Sequence, residues 1–286
     1  MNNIIEINNL NKAYKEFALK NISLQLPKGF IMGIIGENGA GKTTLIKSIM
    51  NLVKKDSGTI EIFGMDNIKY ERQVKEKIGF VYDNCYYYDH LTLEENAEMT
   101  AILYKNWDME KFHRYLNKYS LNRKQKLKEL SKGMRMKYSL CMALSHGAEL
   151  IIMDEPTAGM DPIVRTEVLE ELQNLMEDEN LGIIISTHIT EDLEKVADYI
   201  TFIKDGQIVF STDKDEIKDN YRIVKGGKGI LTKETEGLFE GISKNNYGFE
   251  ALTRKADEVR RALGNDVIFE RASLEDIMVL YGRKTN

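Results

Sequence analysis

The feature that most constrains the fold of this chain is a glycine-rich segment between an apolar run and an amphipathic stretch. The segment from Gly36 to Thr43 reads Gly-Glu-Asn-Gly-Ala-Gly-Lys-Thr and matches the pattern G-x-x-x-x-G-K-[ST] in full. The apolar run Phe30 to Ile35 precedes it and suits a strand that is buried on both faces. After it, Leu45, Ile49 and Leu52 fall on one stripe of a predicted helix. Strand, glycine turn and helix in this order predict an α/β protein of the P-loop class.

The residue types in this segment suit the binding of nucleotide phosphates. Glycines let the backbone come close to a phosphate with its N–H groups pointing inward, and the following helix presents the positive end of its dipole. Lys42 can reach the β- and γ-phosphates and take part in catalysis, and Thr43 can place its hydroxyl on Mg²⁺. The predicted nucleotide-binding residues of this segment are Gly36, Asn38, Gly39, Ala40, Gly41, Lys42, Thr43 and Thr44.

A second apolar run, Leu150 to Met153, ends in the two carboxylates Asp154 and Glu155. Ligands of α/β sheets bind at the carboxyl ends of the strands, which is where these acids would lie. We predict that Asp154 holds Mg²⁺, directly or through water, and that Glu155 orients and polarises the attacking water. An apolar run before Asp-Glu-Pro can also be a plain strand exit, but its pairing with a phosphate-binding loop favours the catalytic interpretation.

The segment just ahead of that run discriminates among nucleotide-binding classes. Leu130-Ser131-Lys132-Gly133-Met134 resembles the LSGGQ signature of the ATP-binding subunits of ABC transporters, and the resemblance covers about residues 3 to 212. It implies a head-to-tail dimer in which Ser131 and the backbone of Gly133 contact the γ-phosphate bound by a second subunit. The resemblance therefore implies a cofactor set of ATP and Mg²⁺ and an ATPase activity coupled to transport.

Three further segments resemble elements of the same family. Ser186-Thr187-His188 resembles the switch region, which implies that His188 bonds the γ-phosphate and links it to Glu155. Ala158 to Asp161 resembles the D-loop, which shapes the dimer contact. Tyr14 matches the aromatic residue that stacks on adenine, although a tyrosine packed at a strand end is the plainer alternative. His90, His113 and His146 match no such position, and we expect them to be ordinary structural histidines.

The sequence departs from the family pattern at two places. Asp83 stands where the family has the Q-loop glutamine, and we predict that its carboxylate still approaches Mg²⁺ or a water on it. Lys132 and Met134 replace the first glycine and the glutamine of the signature, as in some exporter subunits. Lys132 either adds positive charge near the partner's nucleotide or points to solvent. The cluster Tyr86-Tyr87-Tyr88 either meets a membrane subunit or packs locally.

The pattern along the chain predicts a nucleotide-binding domain over residues 1–214 and an accessory region over residues 215–286. The fold class expected is an α/β ATPase core of the P-loop, ABC type with an antiparallel β-subdomain, a helical subdomain near residues 90–145 and a small α+β tail. Asp205-Gly206 between apolar runs predicts a hairpin, and the run Gly226 to Gly229 suggests a turn or short linker.

Charge and hydropathy limit the partners. The net charge is −5, with 40 basic and 45 acidic side chains, which favours neither nucleic acid nor an acidic membrane surface. No apolar run approaches the roughly 18 residues of a membrane-spanning helix, and the start of the chain does not read as a signal peptide. We expect a cytoplasmic protein, peripheral on the inner face of the cell membrane. It would work as a homodimer or paired ATPase with separately encoded polytopic membrane subunits.

Two other classes share part of these motifs. A soluble ABC ATPase acting on ribosomes or DNA would carry two tandem cores or a long coiled-coil insertion, whereas about 90 residues separate loop and signature here. A P-loop kinase would lack the signature and the switch histidine. Both comparisons favour a transport ATPase, and the resemblance points towards bacterial exporters.

Overall fold

Two compact units, Met1–Ser211 and Thr212–Asn286, divide the chain in the computed structural model. The structure describes residues 3–82 and 87–283. The strands of the first unit are β1 (Asn3–Ala13), β2 (Ala18–Pro27), β3 (Ile31–Ile35), β4 (Ser57–Ile62), β5 (Met65–Asp66), β6 (Ile78–Tyr82), β7 (Leu150–Asp154), β8 (Gly182–Thr187), β9 (Tyr199–Lys204) and β10 (Gln207–Asp213), whose last two residues belong to the second unit. The helices are α1 (Lys42–Ile49), α2 (Glu71–Lys75), α3 (Leu93–Ala101), α4 (Met109–Lys118), α5 (Lys132–Ser145), α6 (Pro162–Leu175) and α7 (Thr190–Val196).

A six-stranded sheet in the order β10-β9-β3-β8-β7-β6 forms the centre of the first unit. The pairs β3–β8, β3–β9, β6–β7 and β7–β8 are parallel. Every residue of β3 and of β8 is buried, as the apolar runs predict. In this register Ile35 lies opposite Thr187, and Asp154 lies opposite Ser186. The glycine-rich loop, the two carboxylates and the Ser-Thr-His segment therefore all leave the sheet at its carboxyl edge.

A second, antiparallel sheet has the order β2-β1-β4-β5. Along β2 the apolar side chains of Ile22, Leu24 and Leu26 alternate with polar ones and are buried, so one face joins the core. The hairpin between β9 and β10 is confirmed. Asp205 and Gly206 form its two-residue loop, and both have positive φ (48° and 72°), as the favoured tight hairpin loop requires.

The helical part of the first unit has its own apolar core. α3, α4 and α5 bury Leu93, Phe112 and Tyr138, and α3 begins with a capping box in which Thr92 and Glu95 bond each other's backbone N–H groups. The predicted fold class, an α/β ATPase core with an antiparallel sheet and a helical subdomain, is confirmed.

The helix after the glycine-rich loop is shorter than the apolar stripe predicts. α1 ends at Ile49, and Leu52 is exposed instead of lying on its buried face. Asn51 takes a positive φ of 51°, and the N–H of Leu52 turns back to the carbonyl of Lys47. The prediction for Leu52 was wrong because this turn ends the helix one turn early.

The second unit is an α+β fold with α8 (Lys214–Asn220), β11 (Arg222–Gly227), β12 (Gly241–Lys244), β13 (Gly248–Thr253), α9 (Ala256–Leu263), β14 (Val267–Arg271) and α10 (Leu274–Leu280). Its sheet has the order β12-β13-β11-β14, with antiparallel neighbours. This is the strand arrangement of a ferredoxin-like motif, with α9 as the second crossover and only a turn of 3₁₀ helix within the first.

The glycine run in this unit is part strand and part turn: Lys228 and Gly229 form a turn after β11, as one of the two alternatives predicts, and Gly229 has a φ of 88°. Gly226 and Gly227 are the last residues of β11, and Gly226 pairs with Phe249 on one side and Val267 on the other. A Cβ at Gly226 would overlap the ring of Phe249, so the glycine serves close packing within the sheet rather than flexibility.

Candidate nucleotide-binding and catalytic site

The glycine-rich loop joins β3 directly to α1. Gly41 is the N-cap of α1 with a φ of 113°, and a Cβ there would lie 2.6 Å from Leu19 and 2.7 Å from Phe17. Only glycine fits this backbone conformation in this space. Because α1 begins at Lys42, the free N–H groups of its first turn face the loop, where a phosphate can accept them.

Lys42 lies inside the loop and is only 6% exposed. Its Nζ donates to the carbonyl oxygens of Gly36 at 2.7 Å and Glu37 at 3.4 Å. Burial lowers the pKa of Lys42, and the negative charges of Glu155 and Asp154 oppose that shift. The loop thus holds a desolvated cation that a phosphate can approach.

Asp154 sits at the end of β7 between two hydroxyl groups. Its Oδ2 accepts a hydrogen bond from Thr43 Oγ1 at 3.1 Å, and its Oδ1 accepts one from Ser186 Oγ on the neighbouring strand. Two of the three predicted metal ligands, Thr43 and Asp154, are therefore in direct contact. The sequence pattern predicts no individual role for Ser186, and its position opposite Asp154 in the parallel sheet is the signal that points to one.

The described residues contain no group of three or more His, Cys, Asp or Glu side chains that could hold a metal by themselves. A hydroxyl and a carboxylate beside a phosphate-binding loop are nevertheless the donors that suit Mg²⁺. This ion keeps waters and takes its other ligands from the substrate's phosphates. The residues at this edge of the sheet fit a Mg-nucleotide rather than a metal held by protein alone.

Glu155 is held in a backbone conformation that is rare for its residue type. Its φ is 51°, and its N–H donates to the carbonyl of Ser186 at 2.9 Å. The side chain reaches two groups: Oε2 lies 2.8 Å from Nδ1 of His188, and Oε1 lies 3.7 Å from Nζ of Lys42. Strained residues of this kind concentrate at functional sites. The structure thus brings together the three predicted catalytic residues, Glu155, His188 and Lys42.

The signature-like segment forms the start of α5. Ser131 is its N-cap, and Ser131 Oγ accepts a hydrogen bond from the N–H of Met134 at 3.3 Å. A Cβ on Gly133 would overlap Val164 of α6, so this glycine allows the two helices to touch. The Nζ atom of Lys132 lies near Gly159, because a Cβ added to that glycine would be 3.8 Å from it. The Lys132 side chain is therefore beside the segment from Ala158 to Asp161, which resembles the D-loop. A contact of Ser131 or Gly133 with a second copy's nucleotide stays a prediction.

The predicted adenine-stacking residue follows β1. Tyr14 is 47% exposed, and Nζ of Lys12 lies 5.3 Å from the centroid of its ring. Stacking on adenine stays a prediction, as does the role of Asp83, which lies outside the described residues. Of the tyrosine cluster, Tyr86 also lies outside them, whereas Tyr87 packs edge-on against Tyr138 with ring centroids 5.4 Å apart and Tyr88 is exposed.

Two of the remaining histidines have structural contacts. His113 pairs with Glu94 at 3.1 Å. His146 is buried and stacked on Tyr104, with ring centroids 3.9 Å apart, and burial lowers its pKa to about 4 because it disfavours the charged imidazole. His146 is therefore neutral at physiological pH and belongs to the packing of the helical part.

Comparison with known proteins gives a consistent result. Residues 19–158 match the family model described as ABC transporter. The chain is 32% identical to the ABC transporter ATP-binding protein YtrB of Bacillus subtilis (strain 168) over 219 residues, which cover 76% of this chain and 75% of YtrB. It is 32% identical over 225 residues to the bacitracin transport ATP-binding protein BcrA of Bacillus licheniformis, covering 78% of this chain and 74% of BcrA.

Among solved structures, the fold is similar to that of a dimeric ATP-binding cassette in a post-hydrolysis state bound to ADP and Pi. The TM-score is 0.64 at 24% identity, and the alignment covers 73% of this chain and 98% of that one.

No helix in residues 3–82 or 87–283 combines the length and the apolar character that crossing a membrane requires.

Proposed function

The chain belongs to the ABC transporter family as an ATP-binding subunit that hydrolyses ATP to power transport, and we propose that the loop from Gly36 to Thr43 binds the nucleotide while Glu155 and His188 carry out its hydrolysis. The contact of Glu155 with both His188 Nδ1 and Lys42 Nζ is the single observation that carries this assignment. In this proposal Glu155 is the proton acceptor, and it contacts both Lys42, which binds phosphate, and His188, which acts as the switch residue.

Each of these residues has a separate role in the in-line displacement by which water attacks the γ-phosphate. Glu155 accepts a proton from water as the water oxygen attacks the γ-phosphorus, and the bond from that phosphorus to the bridging β–γ oxygen breaks. Lys42 and the N–H groups of α1 stabilise the charge that spreads over the phosphate oxygens. His188, held on Oε2 of Glu155, contacts the γ-phosphate and keeps the carboxylate turned towards the water.

Thr43 and Asp154 are the proposed Mg²⁺ ligands, and Asp83, which stands where the family has a glutamine, is proposed to approach the ion or a water on it. When bound, the ion neutralises charge on the β- and γ-phosphates. Thr43→Val removes the hydroxyl at constant size, and we expect the Mg²⁺ concentration for half-maximal ATPase rate to rise about 10- to 100-fold. Thr43→Ser keeps the hydroxyl and should behave as the unmodified chain. Equal Mg²⁺ dependence in all three proteins, measured by phosphate release, would remove Thr43 from the metal site.

The working unit is a head-to-tail dimer in which each copy lends Ser131 and Gly133 to the other copy's nucleotide. The N-cap position of Ser131 supports this, because the free N–H groups at the start of α5 then point at the γ-phosphate. The similarity to a dimeric ATP-binding cassette supports it too. Closure over two nucleotides and reopening after hydrolysis would drive the transport cycle.

Separate polytopic membrane subunits would carry the cargo, with this chain on the inner face of the cell membrane. The similarity to a bacitracin transport ATP-binding protein supports an export system. Affinity purification of the tagged chain from solubilised membranes tests this arrangement. We expect a polytopic membrane protein to be recovered with it, and transport by that complex to stop in Glu155→Gln. Recovery with ribosomes or DNA, and none from membranes, would contradict it.

A further inference from the structure

A buried carboxylate outside the proposed site links three elements around it. Asp192, on α7, is 1% exposed. Its Oδ2 accepts a hydrogen bond from Thr157 Oγ1 at 2.6 Å, and its Oδ1 accepts one from Nε of Arg165 on α6. A charge-assisted contact of this kind is among the stronger ones in a protein interior, and removing one partner leaves the other unsatisfied.

The two partners of Asp192 flank the D-loop-like segment. Thr157 comes directly before Ala158, and Arg165 lies four residues after Asp161, the N-cap of α6. The carboxylate of Asp192 therefore contacts the residue just before the segment Ala158 to Asp161 and a residue four positions after it. Arg165 has a second contact with α7, because its Nη2 lies 3.6 Å from Oε2 of Glu191.

The same carboxylate is close along the chain to the proposed catalytic pair. Thr157 follows Glu155 by two residues, and Asp192 follows His188 by four. α7 itself is held against the central sheet, because Leu193 packs onto β3 where a Cβ on Gly33 would overlap it. α7 therefore has a packing contact with the sheet that does not involve Asp192, whereas Thr157 makes its side-chain hydrogen bond to Asp192 itself.

We propose that Asp192 is a positioning residue for hydrolysis. Its hydrogen bonds with Thr157 and Arg165 form a clamp that keeps the carboxylate of Glu155 in contact with His188. The inference rests on the proposed roles of Glu155 and His188. Small misplacements of a catalytic group slow the chemical step much more than they weaken substrate binding.

The experiment uses the full chain and separates the clamp from general stability. Thr157→Val removes the hydroxyl at constant volume and leaves the contact between Asp192 and Arg165, while Thr157→Ser keeps the hydroxyl. We expect kcat for ATP hydrolysis to fall about 10- to 100-fold in Thr157→Val, with KM changed by less than about threefold, and to recover in Thr157→Ser. Asp192→Asn should show the same split between kcat and KM.

Glu191→Gln is the matched control, because Glu191 is the neighbouring carboxylate beside Arg165 and its side chain is 72% exposed. It should keep the kcat of the unmodified chain. Full kcat in both Thr157→Val and Asp192→Asn would overturn the clamp, as would a loss that matches a loss of folded protein by near-UV circular dichroism. Glu155→Gln, measured in parallel, separates the two hypotheses: if it remains active, the proposed site fails, and if it is inactive while both clamp variants are active, only the clamp fails.

Discussion

Glu155→Gln should reduce kcat for ATP hydrolysis by about 10²- to 10⁴-fold while leaving ATP binding intact. The amide has nearly the size of the carboxylate and can still accept a hydrogen bond from His188, whose Nδ1 lies 2.8 Å away. It cannot take up a proton from the attacking water. The phosphate-binding loop and Lys42 remain unchanged, so the variant should accumulate as an ATP-bound dimer.

Three measurements check this prediction: phosphate release for kcat, binding of a fluorescent ATP analogue for affinity, and light scattering with and without ATP for mass. Glu149→Gln is the matched control, since Glu149 immediately precedes β7 at its opposite end and pairs with Lys77 at 2.7 Å. The control should hydrolyse ATP at the normal rate. Full turnover in Glu155→Gln would falsify the role of Glu155 as the group that activates water.

The part of the site that the sequence predicts consists of residues at, or just after, the carboxyl ends of parallel strands. The glycine-rich loop follows one apolar run, the two acids follow another, and Ser-Thr-His follows a third. These segments must meet because the carboxyl ends of parallel strands lie at one edge of the sheet. This geometry explains why Lys42, Glu155 and His188, which lie far apart in the sequence, are neighbours in the structure. Local chemistry and the period of burial are sufficient for that inference.

The contacts missed from the sequence are those that depend on long-range packing. Nothing around Asp192 distinguishes it from the other acids of a polar helix, and its burial appears only when α6 and α7 come together. Ser186 gains its role only from its register opposite Asp154. The turn predicted over the glycine run is confined to Lys228 and Gly229, whereas Gly226 and Gly227 lie in β11, because a glycine in a strand gives the same local signal as a turn.

The central claim is that each nucleotide is bound between the loop of one copy and Ser131 of the other, and two inactive variants test it together. Lys42→Ala removes the buried cation of the loop and should abolish hydrolysis. Ser131→Asp keeps an N-cap that serves α5 as well as serine does, but places a negative charge where the partner's γ-phosphate would lie. Ser131→Asn, which caps equally well without charge, is the control for folding and should retain more activity.

Lys42→Ala alone and Ser131→Asp alone should each be inactive, because both nucleotide sites of a dimer made of one variant carry its defect. When the two are mixed, a dimer of one Lys42→Ala copy and one Ser131→Asp copy has one site with both defects and one site with none. Random pairing makes half of the dimers mixed, so the ATPase rate of an equimolar mixture should rise to roughly a quarter of the unmodified rate if the sites act independently. A rate that stays at the sum of the two variants measured separately would contradict a site shared between copies.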